Sequence, residues 1–342
     1  MSIVSVNNLY RHYKVLNRRA GFIGNISNLF SRDYRTVKAV DGISMEFQEG
    51  EIVAFVGPNG AGKSTTIKMM TGVLEPTSGN ILVNGIIPYK NRVKNAENIG
   101  VVFGQRCQLW WDLPVIESFK LLKLIYKIDK NDYEANMSMF DEVLNLKSLY
   151  TTPVRFLSLG QRMLCDIAAA FLHNPKVIFL DEPTIGLDIS VKSKIREFIL
   201  RLNVEKKTTV FLTTHDIGDI EALCERIILI DKGMIIYDGS IQKIINLYGA
   251  YRTLKIEFLG EDETIGIRVI AELEKGLENF NRIAVDQQES GWLQLTFNQE
   301  NIELVDIMNV ILKKFKVKDI KLEEVKTESI IKKVYERELL HA

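Results

Sequence analysis

The sequence predicts a large α/β domain followed by a smaller α+β domain. In the first part of the chain, short apolar segments end in polar residues and are followed by segments with helical periodicity, as in a mostly parallel sheet covered by helices. After about residue 247 the order becomes strand, helix, strand, strand, helix, strand, which is typical of a ferredoxin-like fold. At 342 residues and 46% hydrophobic content, the chain is long enough for two such cores.

Composition excludes several classes of protein. The 44 Lys and Arg residues balance the 44 Asp and Glu residues, so no overall basic excess indicates a nucleic-acid partner. No run approaches the roughly 18 apolar residues of a membrane span, and the N-terminus lacks the apolar stretch of a signal peptide. The three cysteines are scattered, so we expect neither a disulfide framework nor a structural zinc.

The most informative segment is GPNGAGKS, from Gly57 to Ser64. It follows an apolar strand candidate, residues 51–56, and precedes residues 64–74, whose apolar side chains have helical spacing. Backbone amides in such a loop surround phosphates, the lysine contacts the β and γ oxygens, the serine ligates Mg²⁺, and the helix N-terminus favours anions. The segment predicts a P-loop site for a nucleotide and Mg²⁺, which on its own leaves kinases, GTPases and motors open. Its residues are Gly57, Pro58, Asn59, Gly60, Ala61, Gly62, Lys63, Ser64 and Thr65.

A second element is VIFLDEPT, in which residues 177–180 form a buried strand candidate that ends in Asp181 and Glu182. In phosphoryl transfer to water, one carboxylate holds Mg²⁺ and another group orients or deprotonates the water. Asp181 suits the first role and Glu182 the second. The alternative is that Glu182 only caps the next segment.

With these two motifs the chain resembles the ATP-binding subunits of ABC transporters over roughly residues 4–237, and the remaining motifs follow in that family's order. Gln105 in VVFGQR matches the glutamine that senses Mg²⁺ and the attacking water. LSLGQ, residues 157–161, matches the signature motif. Asp188 in GLD and His215 in LTTHD match the loop after the second carboxylate and the switch histidine that contacts the γ-phosphate.

The resemblance also implies how the site is completed. In the family, the signature of one subunit meets the nucleotide held by the other, so Ser158, Gly160 and Gln161 are expected to contact ATP across a head-to-tail dimer. Because one chain carries every motif, we expect a homodimer with two competent sites. Leu159 departs from the glycine that the family usually has at that position.

The resemblance implies a fold as well: a P-loop NTPase domain of the ABC type, with a mixed sheet and antiparallel β and helical subdomains. We expect this domain over residues 1–247, its helical subdomain at about 106–168, and the ferredoxin-like accessory domain over 248–342. The family stacks an aromatic residue on adenine upstream of the phosphate loop. Tyr34 stands at the usual distance, and Tyr13 is the alternative if the segment between them is an insertion.

That segment, residues 14–33, is predicted to be a basic amphipathic insertion. From Arg11 to Lys38 there are seven basic residues and one acidic residue, a net charge of +6, and GFIGNISNLF has an apolar stripe at helical spacing. One interpretation is contact with anionic lipid of the inner leaflet or with the permease. The other is an insertion packed on its own domain.

Trp110 and Trp111 follow Gln105 closely. In the family this region receives a coupling helix of the membrane permease, so the paired tryptophans are candidates to line that groove; core packing is the alternative. The resemblance implies a motor at the cytoplasmic face of the membrane, attached through permease subunits, with an exporter-type subgroup favoured. The alternatives are an importer motor with a ligand-sensing C-terminal domain, and a soluble ABC ATPase acting on ribosomes or DNA.

Overall fold

The computed structural model describes residues 2–16, 34–104, 106–244, 251–259, 264–277, 279–287 and 292–324. The chain divides into two compact units, Met1–Ser240 and Ile241–Ala342. The sequence placed the domain boundary a few residues later, at 247, within the residues 245–250 that lie outside the described part.

The first unit is built on a six-stranded sheet. Its strands are β3 (Ile52–Val56), β5 (Ile99–Phe103), β6 (Val177–Asp181), β7 (Thr209–Thr213), β8 (Arg226–Asp231) and β9 (Met234–Ser240). They lie in the order β5-β6-β7-β3-β8-β9, and only the β8–β9 pair is antiparallel. β3 and β7 are buried at every residue, as expected for parallel strands that are covered on both faces.

A three-stranded antiparallel sheet packs beside this core. It contains β1 (Ser2–Leu16), β2 (Tyr34–Gln48) and β4 (Ser78–Val83), in the order β2-β1-β4. The buried side chains of β1 and β2 belong to the same apolar cluster as those of β3. The mixed sheet with an antiparallel subdomain, predicted from the resemblance, is confirmed.

Helices connect the strands of the first unit. They are α1 (Lys63–Met70), α2 (Arg92–Ala96), α3 (Val115–Ile125), α4 (Lys130–Leu144), α5 (Leu159–Phe171), α6 (Ile189–Lys206) and α7 (Ile217–Leu223). Helices α3 to α5, with 3-10 turns at Leu146–Leu149 and Val154–Phe156, fill the stretch between β5 and β6. α1 ends four residues before the predicted end of its helix, because Gly72 has a φ of 80° that no α-helix continues.

Residues 227–239 of the sequence predict two short strands joined by a Lys-Gly turn, a hairpin that closes the first domain, and this hairpin is present. β8 and β9 pair through a turn at Lys232 and Gly233, whose φ angles are 48° and 80°. Two consecutive positive φ values match the twist of a two-residue hairpin turn. Gly233 adopts its positive φ without strain because glycine has no Cβ.

The second unit has the strand order of a ferredoxin-like fold. Its elements are β10 (Tyr251–Phe258), α8 (Ile265–Gly276), β11 (Ala284–Gln287), β12 (Trp292–Asn298), α9 (Leu304–Lys314) and β13 (Val317–Glu324). The sheet order is β11-β12-β10-β13 and every pair is antiparallel. The predicted fold is confirmed. The sequence also predicts a final helix in SIIKKVYERELL, which begins at residue 329 and lies outside the described residues.

One detail of α9 differs from the sequence prediction. The helical spacing within residues 301–315 predicts one apolar face that carries Ile302, Val305, Met308, Leu312 and Phe315. Instead Ile307 and Ile311 are fully buried, while Val305 and Leu312 are 61% and 54% exposed. Because the helix begins at Leu304, Ile302 packs from the preceding turn and does not set the helical phase.

No helix in the described part of the chain combines the length and the apolar character that crossing a membrane requires.

Candidate active site

The phosphate-loop residues lie at the carboxyl edge of the parallel strands, between β3 and α1. Gly62 caps α1 with a φ of 114°, and a Cβ there would lie 2.5 Å from the carbonyl oxygen of Ala39. A Cβ on Gly57 would overlap the carbonyl oxygen of Ile230. Both glycines are therefore required by close backbone approach, because the main chain of the loop packs directly against the backbone at Ala39 and Ile230.

Lys63 lies across this loop. Its Nζ donates to the carbonyl oxygen of Gly57 at 2.6 Å and to that of Pro58 at 3.3 Å. Burial lowers the pKa of Lys63, opposed by the negative charges of Glu182 and Asp181. The ammonium group thus stands at the loop with two carboxylates near enough to favour its charged form.

Ser64 and Asp181 meet although 117 residues separate them. The hydroxyl of Ser64 donates to Asp181 Oδ2 at 3.2 Å, and the hydroxyl of Thr213 donates to Asp181 Oδ1 at 2.6 Å. The parallel pairing of β6 and β7 sets Asp181 opposite Thr213. The carboxylate is therefore oriented by one hydroxyl from each side.

This pair has the chemistry of a magnesium site. A hydroxyl and a carboxylate are oxygen ligands, which Mg²⁺ prefers, and Mg²⁺ usually takes one or two carboxylates and completes its shell with water and phosphate oxygens. The described residues contain no group of three or more His, Cys, Asp or Glu side chains suited to a metal. The residues present fit Mg²⁺ bound together with a phosphate; the third predicted metal contact, Gln105, lies outside the described residues.

Glu182 follows Asp181 and faces His215. Its Oε2 lies 2.8 Å from Nδ1 of His215, with 20% of the Glu182 side chain and 64% of the His215 side chain exposed. Glu182 has a φ of 54°, and its amide donates to the carbonyl oxygen and the hydroxyl of Thr213. A non-glycine residue in the left-handed region is strained, and such strain concentrates at functional sites.

The signature residues open α5. Ser158 and Gln161 form a reciprocal capping box, with bonds of 2.9 and 3.2 Å, which satisfies two amides at the start of the helix. A cavity of about 380 Å³ lies there and is also lined by Gly186 and Asp188. Asp188 itself caps α6 by accepting from the amide of Val191 at 2.9 Å.

Leu159, the departure from the family pattern, fits this cavity wall. The Leu159 side chain lies beside Gly186. A Cβ built on that glycine would be in ordinary van der Waals contact with it. Among the described residues, those that line the cavity at the signature include none from the phosphate loop. The two motifs predicted to enclose a nucleotide therefore belong to different surfaces of one chain.

The two candidate adenine platforms differ in their distance from the loop. Tyr34 pairs with Leu16 at the far end of the β1–β2 hairpin, and Tyr13 pairs with Val37. Since Ala39 adjoins Gly62, Tyr34 lies roughly 17 Å along the strand from the loop and Val37 roughly 7 Å, at 3.4 Å per residue. Most of the insertion between them, residues 17–33, lies outside the described residues.

Trp110 and Trp111 are 40% and 49% exposed, so they are not core residues and the core-packing alternative is wrong. The guanidinium of Arg162 lies 5.2 Å from the ring centroid of Trp111, a cation–π distance. Arg162 belongs to the first turn of α5, so this contact joins the exposed tryptophans to the signature helix.

Sequence reasoning did not identify Thr213. It is fully buried, orients Asp181 through its hydroxyl, and holds the amide of Glu182. A threonine at the end of an apolar strand is unremarkable by pattern alone. The available signal was that Thr213 ends β7 as Asp181 ends β6. This becomes informative only once the two strands are known to be neighbours.

Comparison with known proteins agrees with this geometry. Residues 40–185 match the family model described as ABC transporter. The chain is 32% identical over 233 residues to the ABC transporter ATP-binding protein NatA of Bacillus subtilis (strain 168), covering 68% of this chain and 93% of NatA. It is 36% identical over 204 residues to the Probable multidrug ABC transporter ATP-binding protein YbhF of Escherichia coli (strain K12), covering 59% of this chain but only 34% of YbhF.

A solved structure is similar as well. A dimeric ATP-binding cassette in a post-hydrolysis state, bound to ADP and phosphate, superposes with a TM-score of 0.57 at 26% identity. The match covers 69% of this chain and 98% of that one.

Proposed function

Since the chain belongs to the family of ABC transporter ATP-binding proteins, which bind and hydrolyse ATP, we propose that it is the motor subunit of an ABC transporter. The observation that carries the proposal is the meeting of Ser64, Asp181, Glu182 and His215 beside the glycine loop. These residues come from α1 and from the ends of β6 and β7. Ligands of α/β sheets bind at this edge.

The phosphates of ATP would lie in the loop formed by residues 57–65. The close packing of Gly57 and Gly62 against neighbouring backbone supports this, because it holds in place a loop of main chain whose amides can surround phosphates. Lys63 would exchange its two backbone carbonyl acceptors for phosphate oxygens. That exchange is favourable because the new acceptors are charged.

Ser64 and Asp181 would hold Mg²⁺, with Gln105 as a further contact. When bound, the ion would offset the negative charge that develops in phosphoryl transfer. Thr213 keeps Asp181 in place through its 2.6 Å hydrogen bond, so the carboxylate orientation does not depend on the metal alone.

Glu182 would accept a proton from the attacking water. The water oxygen bonds to the γ-phosphorus, the bond to the β–γ bridging oxygen breaks, and ADP and phosphate result. The contact between Glu182 and His215 supports a joint role, in which His215 fixes the carboxylate on one side and reaches the γ-phosphate with the exposed part of its ring. The capping alternative for Glu182 is not favoured, since its carboxylate bonds a histidine and not a helix amide.

Adenine would stack on Tyr13. The sequence favoured Tyr34, but the strand register supports Tyr13, because its partner Val37 lies only two residues from Ala39 at the phosphate loop. The guanidinium carbon of Arg11 lies 4.5 Å from the centroid of the Tyr13 ring. This cation–π contact keeps the ring in one orientation.

A second copy of the chain would complete each site. The separation of the phosphate loop from Ser158, Gly160 and Gln161 supports this, as does the likeness to a dimeric ATP-binding cassette. One chain carries both halves, so a head-to-tail homodimer would hold two nucleotides, each between the loop of one subunit and the signature and Asp188 of the other.

A membrane permease would be the other partner and would hold the motor at the cytoplasmic face of the membrane. The exposure of Trp110 and Trp111 supports a docking surface at this position, since exposed tryptophans are enriched at interfaces. Replacing each with alanine should reduce the stimulation of ATP hydrolysis by the permease without changing the basal rate. Contact of residues 14–33 with anionic lipid is a separate proposal, to be tested by liposome binding after deletion of residues 21–30.

We favour export over import. YbhF, one of the relatives, is named as a probable multidrug ABC transporter ATP-binding protein. A cell benefits from exporting drugs and not from importing them. The ferredoxin-like unit favours the second candidate, an importer motor regulated by a ligand. Binding of an amino acid to the full chain, lost on substituting residues of the second unit, would support the importer.

The central test is Glu182→Gln in the full chain. We expect ATP turnover to fall by about 10² to 10⁴ while ATP still binds and dimers accumulate, because the amide keeps the shape but does not accept the proton. The rate of phosphate release, the affinity for ATP and the molecular mass in the presence of ATP would be measured together.

Glu97→Gln, an exposed glutamate outside the site, is the matched control and should behave like the unmodified chain. Near-normal hydrolysis by Glu182→Gln would falsify the assignment of the base. Failure of both variants and of the unmodified chain to bind ATP would contradict the motor function itself.

A further inference from the structure

A buried charge cluster adjoins the segments that carry Glu182 and His215. Asp219, on α7, is fully buried. It accepts hydrogen bonds from Arg196 Nε at 2.7 Å, from the hydroxyl of Thr214 at 3.1 Å, and from the hydroxyl of Thr184. A buried ion pair contributes little net stability compared with apolar packing, so its presence calls for a role in fixing one arrangement of the chain.

The donors to Asp219 come from segments that lead directly to the site. Thr184 is two residues after Glu182, and Thr214 immediately precedes His215. Arg196 lies on α6, and its guanidinium also reaches Asp219 through Nη2 at 2.6 Å. One carboxylate therefore connects the segment that carries Glu182 with the segment that carries His215.

The residues on both sides of His215 are held in this way. The Thr214 hydroxyl, while donating to Asp219, accepts from the amide of Asp216 at 3.0 Å. The Asp216 carboxylate pairs with Lys192 and, at 3.5 Å, with Arg196. His215 therefore lies between two anchored neighbours.

The imidazole itself has little to hold it. The His215 side chain is 64% exposed, and its contact in the described part of the chain is Glu182. An exposed ring keeps a 2.8 Å contact only if its backbone is placed correctly, and that placement comes from Thr214 and Asp216. A Cβ on Gly218 would lie 3.1 Å from Arg196 Nη2. Because glycine has no side chain, the guanidinium has room at this position.

We propose that Arg196 and Asp219 are positioning residues that hold His215 against Glu182. The inference rests on the proposed function only in that His215 and Glu182 act in hydrolysis. Neither Arg196 nor Asp219 contacts the nucleotide; they act through the backbone of the segment from Thr214 to Asp216.

The test is a double-mutant cycle on the full chain with Asp219→Asn and His215→Ala. Asp219→Asn alone should lower kcat about ten- to hundredfold, as misplacement by about 1 Å does, with the affinity for ATP changed less than about twofold. Combined with His215→Ala, it should lower kcat less than about twofold further. Equal losses in both backgrounds would overturn the proposal, because Asp219 would then act on the fold or on another group.

A milder matched pair preserves the buried ion pair. Thr214→Val keeps the shape of the side chain but removes its hydroxyl, and Thr214→Ser keeps the hydroxyl. The valine variant should lose kcat and the serine variant should retain it, at equal melting temperatures. Loss of kcat in both variants contradicts the proposal, and so does loss in neither when the His215 resonance described below is also unchanged.

An activity-independent readout distinguishes this inference from the proposed function. The imidazole resonance of His215, identified by its absence in His215→Ala, should shift or broaden in Thr214→Val, while that of His173 stays in place. If the resonance moves but kcat does not, the positioning is correct and the role of His215 in hydrolysis is wrong. An unmoved resonance contradicts the positioning itself.

Discussion

The phosphate loop and the signature are two glycine-containing helix starts in one chain, and they are held in different ways. The phosphate loop is fixed by contacts far apart in sequence, such as Ser64 with Asp181 and the close approach of Gly57 to Ile230. The signature is fixed by a capping box whose two bonds join Ser158 and Gln161, three residues apart. One therefore depends on the whole sheet, and the other on a single helical turn.

This difference indicates how the proposed site works. A loop that the sheet assembles in advance loses little conformational freedom when phosphates bind, which favours affinity. The signature is a local helix start that is separate from that loop within the chain. It therefore contributes to the proposed site only when a second subunit approaches it. The comparison predicts that damage to the loop appears in each isolated subunit, whereas damage to the signature appears only when two subunits meet.

The largest effect is expected for Gly57→Ala. The new Cβ would meet a backbone carbonyl of β8 that has no room to move, so the free energy of unfolding should fall by at least about 2 kcal/mol and binding of nucleotide by the isolated subunit should be lost. Denaturant unfolding and binding of a fluorescent nucleotide measure the two effects.

Gly160→Ala is the control from the signature. Its Cβ would meet the side chain of Val191, with the nearest methyl at 3.1 Å. Because a side chain can shift where a backbone carbonyl cannot, stability and nucleotide binding by the isolated subunit should be nearly unchanged. If both glycine variants weaken binding equally, the two helix starts do not differ as described.

Ser158→Ala should have the next largest effect. Loss of the cap should lower the free energy of unfolding by about 1 kcal/mol, leave nucleotide binding by the isolated subunit intact, and lower hydrolysis by about tenfold or more, because the partner's site loses a donor. Ser158→Thr keeps the capping hydroxyl and serves as the control.

Mixing this variant with a Lys63→Ala chain sharpens the result. In a head-to-tail dimer of the two chains, both defects fall in one site and the other site is intact. The mixture should then hydrolyse ATP faster than either variant alone; no gain contradicts the shared site.

A smaller effect is expected at the adenine platform. Tyr13→Ala should weaken nucleotide binding by about tenfold, since stacking of a base on an aromatic ring contributes about 1 to 3 kcal/mol, whereas Tyr34→Ala should change it less than twofold. Tyr13→Phe keeps the ring face and is the control. The reverse order would restore Tyr34 as the platform.

The smallest effect concerns Asp166, in the middle of the signature helix. It is 4% exposed and accepts from the amide of Gln108 at 3.0 Å and from Cys107 Sγ. Burial raises the pKa of Asp166 to about 6, although the Gln108 amide opposes the shift. Because the folded pKa lies above the unfolded one, protonation favours the folded state and stability is lost as pH rises through about 6.

Between pH 5 and pH 7 this loss should be roughly 1 kcal/mol. Asp166→Asn does not titrate, so its stability relative to the unmodified chain should increase by that amount over the same range. Chemical denaturation at the two pH values measures it. A constant difference between the two proteins at both pH values would show that Asp166 does not have a raised pKa.

Local motifs account for most of what the sequence predicted correctly. The turn at Lys232 and Gly233 was readable because glycine favours a positive φ. The ferredoxin-like unit followed from alternating periodicities alone. The phase of α9 was not readable, since apolar residues flank it on several sides and only packing on the sheet selects Ile307 and Ile311.

Contacts between neighbouring strands account for the rest. Thr213 became recognisable only as the partner of Asp181 in the β6–β7 ladder, and the choice between Tyr13 and Tyr34 changed because β1 and β2 pair in one register. Arg196 and Asp219 are 23 residues apart and belong to no motif. No spacing rule links such residues, because their distance in sequence carries no information about their distance in space.

The sequence by itself determined the chemistry of the candidate site: a glycine loop with Lys63 and Ser64, two carboxylates after a buried strand, and a histidine after another. It did so because each motif is a short segment whose backbone geometry depends on its own residues. Only the tertiary structure decided which of these groups touch. Glu182 meets His215, Asp181 meets Ser64 and Thr213, and the signature stays apart, because the order and register of the strands set distances that no single segment contains.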